Sequence, residues 1–522
     1  MYLITSGAYV ISELQSEFGA IPPAFLPVGN RRLFHHQLAR IPADEPVVMT
    51  LPERFRPGSF DLEALRRRGV ELLYLPESLS LGKAVVYALN LLELESSEPV
   101  RLLHGDTLLD TLPTGLDQVG ISRVEENYDW AEYDGQTGLM KRYDVTKPPG
   151  SDLIVNGFFS FSKPRTLVRE ITAAGGDFIE GLNGYHRAVG LTPIENVDWY
   201  DFGHSHTYYQ SKSRMTTQRA FNEMVIQGQV VTKASHKAHK LAAEANWYQS
   251  LPGAMKLYTP ALLASEAQQE GFQYRIEYLY LTALNELYVF SRLPAFAWNK
   301  ILRACCRFLD CARSHQVENR LTLHTLFTRK TEQRLAAFDA PCSLDEPMWI
   351  NGQARPSIRA LAQLSAAALP EDDGRQNLLH GDFCFSNILY DFRTGNIKVI
   401  DPRGLDGEGQ VSIHGNSLYD IAKLSHSIIG LYDLIVAGYF QASLEGQSLT
   451  FAVARDPERE KVIEAFCELM ASRYGLNRRQ LSAMQIQLFL SMLPLHSDRP
   501  DRQLGFIGNA YRLYDQLNGA PA

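Results

Sequence analysis

The stretch from Leu378 to Asp401 leaves the chain little freedom of path. Leu378-Leu379-His380-Gly381-Asp382 is an apolar run closed by a glycine and a carboxylate, and Asn387 stands just before Ile388-Leu389-Tyr390. Polar residues from Asp391 to Asn396 then turn the chain, and Ile397-Lys398-Val399-Ile400 leads into Asp401. Two short apolar runs around a polar turn read as a hairpin. Asp382 and Asn387 then lie on the loop entering the first strand, and the second strand delivers Asp401 beside them. Two carboxylates and a carboxamide oxygen converge at one end of the hairpin. Phosphoryl transfer from a nucleotide needs such a set: a carboxylate to orient the attacking hydroxyl and accept its proton, and oxygen ligands for a cation on the phosphates.

This constellation resembles the aminoglycoside phosphotransferase and choline kinase-like family, whose signature is His-Gly-Asp, four residues, Asn, then Ile-Asp after a hairpin. The resemblance covers roughly residues 219 to 510 and implies a bilobal, protein-kinase-like α+β domain. It implies Asp382 as catalytic base, Asn387 and Asp401 as Mg²⁺ ligands, and ATP as donor. Relatives hold the nucleotide phosphates with a small-lobe lysine paired to a helix glutamate. Val230-Val231-Thr232-Lys233 ends a strand and Glu244 lies on the next helix, so Lys233 and Glu244 are expected in those roles. Arg275-Ile276-Glu277-Tyr278-Leu279 is expected to join the lobes, with Glu277 where the backbone meets adenine. Asp420, in Gly415-Asn416-Ser417-Leu418-Tyr419-Asp420, either braces the catalytic loop or is an ordinary first-turn carboxylate of a helix. Where many relatives carry an aromatic residue after the metal-binding aspartate, this chain has Pro402-Arg403-Gly404. Arg403 is thus a candidate catalytic residue, contacting an anionic group or pairing with a site carboxylate.

The first half has a different rhythm. Tyr2–Thr5, Val47–Thr50, Glu71–Leu75, Val100–Leu103 and Leu153–Phe161 read as strands, with helices at Arg32–Arg40, Asp61–Arg68, Gly82–Leu92 and Pro164–Ala173. Alternation of this kind predicts an α/β domain with a mainly parallel, Rossmann-like sheet, whose ligands sit beyond the carboxyl ends of the strands. Ile21-Pro22-Pro23-Ala24-Phe25-Leu26-Pro27-Val28 is similar to the Pro-Lys-Ala-Leu-Leu-Pro-Val segment of sugar-phosphate nucleotidyltransferases. Further matches follow in order: Leu81-Gly82-Lys83-Ala84, His104-Gly105-Asp106, Lys147-Pro148, Asn156-Gly157-Phe158-Phe159 and Trp199-Tyr200-Asp201-Phe202-Gly203. By this resemblance Asp106 and Asp201 bind Mg²⁺, while Gly7, Gly82, Arg31 and Lys147 serve the nucleotide or sugar phosphate.

The N-terminal signature is eroded. One glycine, Gly7, survives of the usual Gly-rich loop, its arginine is missing, and Pro23 stands where the family has lysine. Arg31, Arg32 or Lys83 could compensate; otherwise the domain binds without catalysing, and both readings stand. His204 and His206 read as hydrogen-bonding or substrate-side groups rather than metal ligands.

The expected organisation is a nucleotidyltransferase-like domain over 1–212, with the polar run Ser211–Thr217 as linker, and a phosphotransferase domain over 213–522. The latter divides into a small lobe at about 213–280 and a helical lobe at about 281–522, mostly helical apart from the hairpin. Together the domains imply a bifunctional enzyme that phosphorylates a sugar or polyol with ATP and couples the phosphate to a second NTP. By family analogy the product serves surface polysaccharide or capsule synthesis. The alternatives are a choline or amino-alcohol kinase/cytidylyltransferase, and a kinase carrying a non-catalytic nucleotide-sugar-binding domain.

Composition adds exclusions. With 51 Lys and Arg against 59 Asp and Glu, the net charge of −8 lacks the basic footprint of a nucleic-acid binder. Arg66-Arg67-Arg68 reads as the last turn of a helix, its cations at the negative end of the dipole. Six cysteines form no disulfide or zinc pattern, and Cys305, Cys306 and Cys311 read as core thiols of one helix. The first residues carry no signal-peptide pattern, and Leu424–Leu444, with His426 and Asp433, reads as a buried helix rather than a membrane span. A cytoplasmic protein with small-molecule and nucleotide partners is expected, without membrane insertion; its oligomeric state is left open.

Overall fold

The computed structural model describes residues 1–92, 98–124, 128, 130–142, 152–195, 198–215, 223–318, 325–372 and 374–519. Its internal contacts separate two units: Met1–Met215 with Phe290–Arg292, and Thr216–Val289 with Leu293–Ala522.

The N-terminal unit is built on a twisted mixed sheet. Strand Tyr2–Thr5 pairs in parallel with Val47–Pro52 on one side and Val100–His104 on the other, and Val47–Pro52 pairs in parallel with Val70–Leu75. All six residues of Val47–Pro52 are buried, as a parallel strand covered on both faces requires. Beyond Val100–His104 the sheet turns antiparallel through Asp152–Phe161, which also pairs with Gln118–Val124. Helix Leu81–Leu91 packs Val85, Ala88 and Leu89 into the core beside Leu3, Val48 and Leu102. The parallel register sets Thr5 beside both Thr50 and His104, so Ser6-Gly7 and Gly105-Asp106 leave the sheet together at its carboxyl end.

Ser211–Thr217 is not wholly a linker. Helix Ser205–Arg214 continues through its first half, burying Thr207, Tyr208, Tyr209 and Ser211. The Tyr208 hydroxyl donates to Pro27 O at 2.6 Å and the Ser211 hydroxyl to Asp201 O at 2.7 Å. Two tyrosines supply the buried face, which a polar composition conceals.

In the C-terminal unit an antiparallel sheet runs Glu223–Gln227, Val230–Ser235, Gly271–Glu277, Leu262–Gln268 in spatial order, beside helix Ala238–Ser250. The helical part contains Ala295–Arg313, Leu418–Ile428, Pro457–Tyr474, Arg478–Met492 and Pro500–Leu517. Cys305 and Cys306 are buried on the first of these. The hairpin Ile388–Asp391 with Asn396–Val399 forms as read, with Ile388 opposite Val399. A four-stranded sheet of Gln353–Arg355, Met348–Ile350, Ser448–Val453 and Phe440–Glu445 interrupts the helical pattern expected outside the hairpin. It also corrects the reading of Leu424–Leu444 as one helix. Gly430, the left-handed Leu431 and Gly438 break that stretch into two helices and a strand. Among the described residues no helix is long and apolar enough to cross a membrane.

Gly404 joins the end of the hairpin to helix Ala238–Ser250. It adopts φ +63°, and a Cβ there would lie 2.1 Å from Ala243 O and 2.4 Å from Ala243 C. Gly404→Ala combines left-handed strain with overpacking against backbone, so a loss of about 2–4 kcal/mol is expected. Denaturant unfolding of the C-terminal unit checks this; an unchanged midpoint would exclude so tight a contact.

Candidate functional site

The strand Val230–Ser235 alternates, placing Val231, Lys233 and Ser235 on its buried face. A lysine so placed needs a partner. The Lys233 ammonium contacts Asp401 Oδ1 and lies 3.7 Å from Glu244 Oε2. Glu244, buried on helix Ala238–Ser250, also accepts the Tyr274 hydroxyl at 3.0 Å. Burial raises the Glu244 carboxyl, with Lys233 opposing. The expected lysine–glutamate pair is thus assembled, with Asp401 joined to it.

The loop carrying Asp382 is fixed from below. Asp420, buried in the first turn of helix Leu418–Ile428, accepts the backbone N–H of His380 at 2.7 Å and of Gly381 at 2.8 Å. Burial pushes its carboxyl up to about 7 against those two hydrogen bonds. Of the two readings of Asp420, the brace is the one observed. The Trp247 indole donates to Leu379 O at 2.7 Å, and the buried His380 ring faces Ile400 O at 3.0 Å. Burial holds that imidazole down to about 4, so it is neutral and structural. Gly381 takes φ +79°, with the Arg403 side chain against the position its Cβ would fill.

Asp382 accepts Asn387 Nδ2 at 3.0 Å on Oδ2 and pairs through Oδ1 with Lys423 Nζ at 2.8 Å. Burial by itself would raise this carboxyl, but the Lys423 ammonium and the Asn387 hydrogen bond bring it down to about 2. Asp382 faces Lys423 while Asp401 faces Lys233, so each carboxylate has its own ammonium. Asp401 sits in the left-handed region at φ +57°, with its N–H donating to the Tyr248 hydroxyl at 3.2 Å. Arg403 N–H donates to His380 O at 2.8 Å. Lys233, Glu244, Asp382, Asn387, Asp401 and Arg403 all line one cavity of about 430 Å³. Glu277 does not: it is exposed at the end of its strand, and its carboxylate accepts Ala261 N–H at 3.2 Å.

In the N-terminal unit Asp106 follows strand Val100–His104, and Asp201 ends strand Trp199–Asp201, opposite Thr107. Their carboxylates meet against Gly203, where a Cβ would lie 2.7 Å from Asp106 Oδ2 and 3.2 Å from Asp201 Oδ1. Thr207 Oγ1 at 2.5 Å, His204 Nδ1 at 3.1 Å and Gly203 N–H at 3.1 Å orient Asp201. Burial and the Asp201 charge push the Asp106 carboxyl up. Among the described residues no lysine or arginine pairs with either carboxylate, so the two form a negative site suited to a divalent cation.

Both aspartates line a cavity of about 710 Å³, with Gly82 and Lys83 on one wall and Trp130 and Trp199 on another. Gly82 opens the helix Leu81–Leu91, and a Cβ there would lie 2.5 Å from Gly176 O. Gly7 lines a second cavity of about 250 Å³, and His104 and Asp106 line both. Arg31 is not brought in. It is exposed on the hairpin Pro27–Val28/Arg31–Arg32, while Arg32 turns inward to Asp61 Oδ2 at 3.1 Å and Phe25 O at 2.9 Å. Neither arginine lines either cavity. Lys147 lies outside the described residues.

Lys423, Tyr419, Lys330 and Arg334 line the C-terminal cavity and were not read from the sequence. Lys423 had a signal: it follows Asp420 by three residues on one helix, hence on nearly the same face.

Residues 225–450 match the family described as the phosphotransferase enzyme family, a span within which Lys233, Glu244, Asp382, Asn387, Asp401 and Lys423 all fall. The phosphotransferase-family match thus falls in the C-terminal part of the chain. No curated protein matches the chain. Similar solved structures fall in two groups. An aminoglycoside phosphotransferase in ternary complex with AMP-PNP and hygromycin B is 13% identical, with 58% of this chain and 94% of that chain covered and a TM-score of 0.38. A UDP-glucose pyrophosphorylase complexed with UDP-glucose is 15% identical over 41% of this chain and 97% of its own, TM-score 0.32. The inositol-1-phosphate CTP transferase from T. maritima is 13% identical over 41% and 95%, TM-score 0.30.

Lys423 sets the titration of Asp382. With the ammonium present the carboxylate stays ionised down to about pH 2. In Lys423→Gln only burial and a weaker hydrogen bond remain, so the carboxyl rises and protonates as the pH falls. Phosphoryl transfer should then gain an acidic limb displaced upward by roughly two pH units or more. A kcat–pH profile of the variant checks this; a profile parallel to the parent's would separate Lys423 from the chemistry.

Proposed function

We propose that the chain carries out two successive group transfers. ATP first phosphorylates a small hydroxyl compound in the C-terminal cavity; the new phosphate is then joined to a nucleoside monophosphate in the N-terminal cavity. The observation that carries the reading is the convergence of Lys233–Glu244, Asp382–Lys423, Asn387 and Asp401 on one cavity. In the first step the acceptor oxygen bonds to the γ-phosphorus and the bond from that phosphorus to the β,γ-bridging oxygen breaks, releasing ADP. Asp382, kept ionised by Lys423, orients the hydroxyl by accepting its hydrogen bond. So acidic a carboxylate takes the proton late, once the oxygen is bonding to phosphorus.

Divalent cations such as Mg²⁺, held by Asn387 and Asp401 and by Asp106 and Asp201, would neutralise the phosphates. The donor sets fit: a carboxylate and a carboxamide oxygen in one cavity, and in the other two carboxylates, with Asp106 raised by burial and by the Asp201 charge. In the second step a phosphate oxygen of the product attacks the α-phosphorus of an NTP and pyrophosphate leaves. Trp130 and Trp199 offer apolar faces to a sugar or base, and Lys83 a cation. A nucleotide-activated product of this kind suits surface polysaccharide assembly in the cytoplasm.

The second reading, a kinase with a nucleotide-sugar-binding domain that does not catalyse, is favoured by one observation. Arg31 and Arg32 stay out of the N-terminal cavities, so the missing cations of the signature are not replaced by them.

Pyrophosphate release from a panel of NTPs and sugar phosphates separates the readings. Asp106→Asn or Asp201→Asn should lower that release on the order of a hundredfold or more and leave ATP-dependent phosphorylation intact, with Asp382→Asn doing the reverse. Absence of pyrophosphate release with every NTP leaves the binding-domain reading.

A further inference from the structure

Three carboxylates, Glu244, Asp382 and Asp401, share the C-terminal cavity with six cations. Two cations are committed to these carboxylates: Lys233 to Asp401 and Glu244, Lys423 to Asp382. Lys240 lies one turn before Glu244 on the same helix, at the Lys233 end where the nucleotide phosphates belong. Lys330, Arg334 and Arg403 remain, and none makes an ion pair among the described residues.

These three belong to the Asp382 end. Lys330 and Arg334 stand four residues apart on helix Lys330–Ala336, hence on one face, with Thr331 and Leu335 buried behind them. Lys330 Nζ donates to the Tyr419 hydroxyl at 3.1 Å, and Tyr419 lies one turn before Lys423 on helix Leu418–Ile428. Arg403 is tied by its backbone to His380, two residues before Asp382. The Tyr419 phenol reports the resulting field. Burial would raise it, yet Lys330, Lys423 and Arg403 bring it down to about 8. A half-buried group of unpaired cations repels a cationic acceptor and leaves a neutral one without use for the charge.

We propose that the compound phosphorylated here is itself an anion. Its carboxylate or phosphate is held by Lys330, Arg334 and Arg403 while its hydroxyl lies at Asp382. The proposal rests on the kinase reading and narrows it: the hydroxyl oxygen bonds to the γ-phosphorus, ADP leaves, and the proton passes to Asp382 and then to water. An amino alcohol is the substrate class this cavity disfavours.

The test uses the full chain with Mg²⁺ and γ-labelled ATP. A small-molecule cell extract is freed of nucleotides on charcoal and split on an anion-exchange resin. Label is expected to pass to compounds of the retained fraction. Phosphatase treatment of that fraction beforehand abolishes transfer to a phosphorylated acceptor and spares a carboxylate. Once the acceptor is isolated, the Lys330→Gln/Arg334→Gln double variant should raise its KM about tenfold or more and move the KM for ATP less than about twofold. Loss of fold would instead lower kcat and disturb both KM values. Transfer only to the unretained fraction, or an unchanged acceptor KM in the variant, overturns the anionic class and leaves the kinase reading standing. No transfer to either fraction overturns the kinase reading itself.

Discussion

The buried Asp420 carboxylate, accepting two consecutive backbone N–H groups, is the contact on which the C-terminal site depends. His380 and Gly381 spend their donors there, and the loop is set before any side chain of the site is considered. Neighbouring contacts then follow in sequence. Trp247 takes Leu379 O, the His380 ring faces Ile400 O, and Arg403 N–H returns to His380 O. Loop, hairpin end and helix Leu418–Ile428 therefore hold one another in register, and Lys423 meets Asp382 because it rides on the helix that supplies Asp420. A displacement of Asp420 would move the Asp382 carboxylate and its ammonium together.

Much of this site was legible because its parts are local. His380-Gly381-Asp382, Asn387 and Asp401 belong to one loop and hairpin, and a hairpin's register follows from its turn. Lys233 was legible for a related reason: a lysine at a core-facing strand position demands a partner, and Glu244 follows on the next helix. Lys330 and Arg334 were not legible. They come from a short helix remote in sequence, and only tertiary packing says that they share a cavity with Asp382. Arg31 shows the opposite failure. Its position beside the proline-rich motif suggested a phosphate contact, and the pleat of a two-residue strand turned it outward. In the fold, the parallel strands were readable as continuous apolar runs. The sheet of Gln353–Arg355, Met348–Ile350, Ser448–Val453 and Phe440–Glu445 joins segments far apart in the chain, a pairing no local pattern announces.

The two sites solve one electrostatic problem differently. In the C-terminal cavity Asp382 is paired internally with Lys423 and Asp401 with Lys233, and at Asp382 the ammonium and the Asn387 hydrogen bond outweigh burial and hold the carboxyl low. In the N-terminal cavity Asp106 and Asp201 meet beside Gly203, His204 and neutral donors orient Asp201, and burial with the Asp201 charge raises Asp106. The first arrangement is preorganised by the chain itself; the second reaches its charged form most readily with a cation brought from outside. In a chain of net charge −8, six cationic side chains line the cavity around Asp382. The cavity around Asp106 is lined by Lys83 and Arg142. The N-terminal cavity thus offers an aspartate pair, two cationic side chains and apolar walls, whereas in the C-terminal cavity Asp382 and Asp401 are already held by ammonium partners.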